Sequence, residues 1–115
     1  MIPQDEMIGI ARRLTEMTQQ ERAKWREDNL GQGRTVHTFE SGNVEFRFTV
    51  LEPAAGDDEF ELEVADDGRV VGRLHTYFEG TEPHTEALRQ LDEAINRQLG
   101  DWHQSLERVN AALGL

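Results

Sequence analysis

From Thr35 to Thr76 apolar and polar residues alternate in short runs separated by turn-forming residues. Val44, Phe46, Phe48 and Val50 alternate with Glu45, Arg47 and Thr49, and Phe60, Leu62 and Val64 alternate with Glu59, Glu61 and Glu63. This is the period of strands with one dry and one wet face. Ser41-Gly42-Asn43 and Asp66-Asp67-Gly68 have the composition of tight hairpins, and Pro53 opens a longer loop over Ala54 to Asp58. Two less regular runs flank this pair. In the first, Phe39 is expected inward; in the second, Val70 to Thr76, Gly72 falls on the inner side and leaves room for a helix side chain. The pattern predicts a four-stranded antiparallel meander over about residues 34–77. Its dry face is to be covered by the flanking segments.

Those segments carry helical periodicity. Pro3, Asp5 and Glu6 suit a helix start, and Met7, Ile10, Ala11, Leu14 and Met17 recur at three- and four-residue steps. Thr18 and Glu21 have capping-box spacing, so the helix either stops near Met17 and restarts through Trp25 or runs on; Asn29 to Gly33 ends it in both cases. After the meander, Pro83 opens a segment to about residue 113 with Leu88, Leu91, Ile95, Leu99, Trp102, Leu106, Val109 and Leu113 on one stripe. Thirty helical residues extend roughly 45 Å, far beyond four strands spaced about 4.8 Å apart. Either the helix breaks at Gly100, where Asp101 and Gln104 supply a fresh cap, or it overhangs the sheet. The spacing passes Gly100 without a phase shift, which favours one helix. The stripe Leu99, Trp102, Leu106, Val109 and Leu113 is then exposed, and a homodimer about a two-fold axis is expected to cover it. The fold class is α+β: one domain, residues 1–115, with N-terminal and long C-terminal helices on one face of the sheet. Phe46, Phe48, Phe60, Leu62, Leu88, Leu91 and Ile95 are the expected core.

Charge changes the picture of partners. The formal charge is −11, and residues 31–80 hold eleven acidic against four basic side chains. Such a surface repels phosphate backbones, which excludes direct nucleic-acid binding and leaves a basic protein as the complementary partner. Glu45, Glu59, Glu61 and Glu63 are the candidate acidic face. Arg47 and Arg73 are expected among them as cross-strand pairs, which weakens a reading as an acidic inhibitor or nucleic-acid mimic. With no cysteine there is no disulfide, thiol nucleophile or thiolate metal site. No apolar run reaches the ~20 residues of a membrane span, and the start Met1-Ile2-Pro3-Gln4 lacks the features of a signal peptide, so a cytoplasmic address is expected.

Candidate chemistry is sparse. His37, His75, His84 and His103 have no helical ligand spacing to a carboxylate or to one another. His37 reads as a core or edge histidine. His75 alternates with Tyr77 and Glu79 on one strand face, which is the basis for a metal-dependent enzyme as a further alternative. Ser41 and Ser105 lack a nucleophile-elbow context, Gly31-Gln32-Gly33 reads as a turn, and Asp57-Asp58 and Asp66-Asp67 read as turn chemistry. Trp25 and Trp102 are expected in packing, with partner contact as the alternative for Trp102. No catalytic, cofactor or metal residue is assigned. The expected function is that of a non-enzymatic protein–protein interaction or accessory module.

Trp25, Gly42-Asn43-Val44-Glu45-Phe46, the run Phe60 to Val64 leading into Asp66-Asp67-Gly68-Arg69-Val70, and Leu88 with Leu91 follow one another in a recognisable order. In this order the chain resembles a small uncharacterised bacterial and archaeal domain built as helix-Trp-β4-helix. The loop from Pro53 to Asp58 is longer than in the compact version of that domain, and the resemblance implies no catalytic residues.

Overall fold

The computed structural model describes residues 1–53, 56, 58–76 and 82–115, the side chains of residues 82 and 101–103 excepted. Helix α1 (Gln4–Gln19) is followed by strands β1 (Arg26–Gly31), β2 (Arg34–Ser41), β3 (Val44–Leu51), β4 (Glu59–Asp66) and β5 (Arg69–His75), and then by helix α2 (Glu82–Ala112). The sheet is an antiparallel meander in the order β1-β2-β3-β4-β5. It has five strands where four were expected. The extra strand reads Arg-Glu-Asp-Asn-Leu-Gly and is exposed along its whole length. It has no dry side to mark it in the sequence. Backbone pairing with β2 and the turn at Gln32 and Gly33, with φ of 56° and 72°, hold it in place. A side chain at Gly33 would also put its Cβ 2.6 Å from the Glu52 carbonyl oxygen.

The register sets Phe39 opposite Phe46, Phe46 opposite Val64, Phe48 opposite Leu62 and Val50 opposite Phe60. The even positions of β3 therefore face the helices, and Phe39 shares that side. Phe48, Phe60, Leu62, Leu88, Leu91 and Ile95 are buried as expected, whereas Phe46 is only partly covered. Phe39 stacks on Phe46 and Phe48 on Phe60, both at 5.7 Å between ring centroids. Gly72 does make room: a Cβ there would stand 2.5 Å from Met7 Sδ, and Met7 is fully buried.

Neither helical restart nor continuation through Trp25 occurs. Glu21 takes a left-handed φ of 58°, the Arg22 N–H donates to the Met17 carbonyl, and the Glu21 N–H donates to that of Thr18. This is a Schellman stop with glutamate in the place glycine usually takes. Thr18 forms no capping box. Its hydroxyl donates to the Leu14 carbonyl and accepts the Trp25 indole N–H at 2.9 Å. Gln98 of α2 fastens the same crossing: its Oε1 accepts the Trp25 backbone N–H, and its Nε2 donates to the Ala23 carbonyl at 2.7 Å. Trp25 is thereby buried against Phe39.

The two sheet edges differ. At β5 the Ile2 N–H donates to the Val71 carbonyl and Gln4 Nε2 to that of Arg73, so the N-terminal segment occupies outward backbone positions. At β1 the edge carries Arg26, Glu27 and Asp28 in succession.

Candidate functional site

Helix α2 runs 31 residues without a break at Gly100. At 1.5 Å per residue this is about 46 Å. Its first half is covered, with Ala87, Leu88, Leu91, Ala94 and Ile95 buried, and Leu99 packs partly against the core. Beyond Gly100 the stripe emerges: Leu106, Val109 and Leu113 are 43%, 52% and 68% exposed. The backbone of Trp102 lies between these segments in α2, and its side chain is outside the described residues. The helix thus has a docked half and an uncovered apolar half.

The wet face of the sheet is a mixed-charge surface. Glu63 receives Arg47 Nη1 at 3.3 Å on one oxygen and Arg73 Nε at 3.0 Å on the other. Glu45 lies 2.8 Å from Arg47 Nε, an ionic contact outside hydrogen-bond alignment. Glu61 lies 3.3 Å from His75 Nδ1, and Glu59 lines a shallow depression of about 210 Å³ with Arg34. The arginines therefore sit among the glutamates as the strand pattern indicated. His75 meets the Glu61 carboxylate here, while Tyr77 and Glu79 lie outside the described residues, as do Ala54, Ala55 and Asp57 of the long loop. Among the described residues no three histidine, aspartate or glutamate side chains are grouped to hold a metal ion. No helix among them is long and apolar enough to cross a membrane.

Two further places were not visible in the sequence. The first is beneath α2, where His37 of β2 is 2% exposed and its Nε2 lies 3.3 Å from Glu27 Oε1 of β1. Among the described residues its Nδ1 has no hydrogen-bond partner. Asp92 of α2 faces the same region. Burial raises its carboxyl above the ordinary aspartate range; His37 opposes that shift, Asp58 reinforces it, Asn96 opposes it by a hydrogen bond, and Glu93 reinforces it. The second is an apolar groove of about 390 Å³ between α1 and the hairpin end of the sheet. Ile10 and Met17 belonged to the expected buried face of α1, yet both are only partly covered because they form one wall of this groove.

The fold is thus an α+β sandwich of one five-stranded meander and two helices. Comparison with known proteins finds no matching family model, no matching curated protein and no matching solved structure.

Proposed function

We propose that the protein is a small acidic, non-enzymatic interaction module that acts as a homodimer, with the C-terminal half of α2 as its contact. The observation that carries this reading is the run of Leu106, Val109 and Leu113 on one face of a helix that has left its own core. Ordered apolar side chains in water at helical spacing indicate a contact surface. The three side chains, each about half exposed, gain roughly 1–1.5 kcal/mol apiece when covered, or about 6–9 kcal/mol for two copies. Association costs about 4–15 kcal/mol in lost freedom, so the stripe anchors a dimer of modest affinity.

Capture of a basic protein by Glu45, Glu59, Glu61 and Glu63 has less support. Arg47 and Arg73 stand against Glu45 and Glu63 and reduce the field a basic partner would meet. For a metal-dependent enzyme built on His75, the observation in its favour is the Glu61 contact. Sedimentation over a concentration series tests the dimer. Two chains at high concentration, reduced to one by Leu106→Glu, is the expected result; a single-chain mass at several hundred micromolar overturns the reading.

A further inference from the structure

His37 is a titratable side chain sealed in the core, and the elements packed around it bring carboxylates toward it. Glu27 stands directly opposite on β1, with its Oε1 3.3 Å from His37 Nε2. Asp92 of α2 interacts with the ring electrostatically; Asp58, ahead of β4, and the neighbouring Glu93 act on Asp92 in turn, and Asn96 hydrogen-bonds to it. From β3 the facing residue is Phe48, an uncharged ring whose centroid lies 6.3 Å from that of the imidazole. We propose that His37 and Asp92 share one proton taken from solvent, and that this proton clasps the docked half of α2 to β2.

A neutral imidazole has one N–H and one lone pair, and an ionised carboxylate only accepts. With the N–H on Nε2, facing Glu27, the ring presents Nδ1 as an acceptor, and among the described residues that atom has no partner. The ionised Asp92 cannot supply the donor. Moving the N–H to Nδ1 only transfers the deficit, because Nε2 then meets the Glu27 carboxylate as a second acceptor. One added proton removes the conflict in either place: on the ring it gives an N–H for each side, and on Asp92 it gives an O–H for Nδ1. A buried polar group left unmatched is costly, which favours uptake. Burial, which raises the Asp92 carboxyl above the ordinary range, works in the same direction, and Asp92 is only half-buried, so a proton reaches it from solvent. The folded chain therefore binds this proton more tightly than the opened chain. The clasp is complete at acid pH and is lost as pH rises through the folded-state value. The same helix carries the exposed stripe, so the proton fixes the root of that surface without belonging to it.

Hydrogen exchange and NMR titration of the full chain test the clasp. Opening constants of the α2 amides from Leu88 to Ile95 are expected to fall about tenfold between about pH 7.5 and about pH 5.5, the equivalent of one pH unit in proton affinity. In Asp92→Asn the amide donates without a proton from solvent, so the same constants are expected to change less than about threefold over that range. The His37 ring of this variant is expected to titrate at least about half a pH unit lower than in the parent chain, because the opposing charge is gone. Asp92 is half-buried, which leaves the variant free to fold. Glu93→Gln, a neighbouring carboxylate on the same helix, is expected to keep the tenfold response. An unchanged His37 titration in Asp92→Asn overturns the proposal, and so does an equal loss of pH response in Asp92→Asn and Glu93→Gln, which would assign the effect to the overall charge of the helix.

Discussion

Asp92 is a carboxylate held where its charge is poorly solvated, with His37 as the largest opposing influence. Its folded-state pKa lies above the unfolded value of about 3.9, so the folded chain holds this proton more tightly. The stabilising contribution is full below the unfolded value and is lost as pH rises through the folded one; at pH 7 the ionised group is a liability. Asp92→Asn is expected to raise the thermal midpoint at pH 7, with the gain shrinking toward zero below about pH 4. Melting curves at the two pH values check this, and a lower midpoint at pH 7 would mean that attraction to His37 outweighs burial. Some residue placements were legible because alternation carries them: Phe39 inward and Gly72 under a helix follow from strand parity. The meeting of His37, Glu27 and Asp92 was not legible. Three elements bring it about, and no spacing along the chain encodes it.

At the scale of elements, β3, β4 and α2 were readable because each carries a clear period, and the less regular β2 and β5 were placed by the turn chemistry that joins them to that pair. The two errors share a physical origin in backbone conformation that is not advertised by side chains. Strand β1 has no apolar face, and its pairing depends on main-chain hydrogen bonds closed by a turn at Gln32 and Gly33. The stop of α1 places Glu21 at a left-handed position where glycine or asparagine would have signalled it. A left-handed conformation costs an ordinary residue about 1–2 kcal/mol, partly offset by the greater unfolded-state freedom of glycine. Glu21→Gly is therefore expected to stabilise the protein by about 0.5–1 kcal/mol, read as a higher urea midpoint with an unchanged slope. A decrease would show that the Glu21 side chain contributes something the backbone argument omits.

For the whole molecule, the overhang of α2 was foreseeable from helix length against sheet width. The groove was not, because α1 shows the same apolar stripe whether or not every member is covered. Two copies of a chain with formal charge −11 repel at long range. The Debye length shortens from about 30 Å at 0.01 M salt to about 10 Å at 0.1 M. The proposed dimer is therefore expected to tighten several-fold over that range, since exposed ion pairs are worth at most about 1 kcal/mol each. Equilibrium sedimentation at the two salt concentrations measures it; weakening by salt would place ionic attraction above repulsion. The edges of the sheet bear on how far assembly proceeds. A strand whose outward carbonyls are taken by Ile2 and Gln4 is a poor template, and three successive charges on the opposite strand discourage a flat neighbour. Growth by strand addition therefore lacks a starting point on either side, and a crowded solution of this protein is directed away from ribbons.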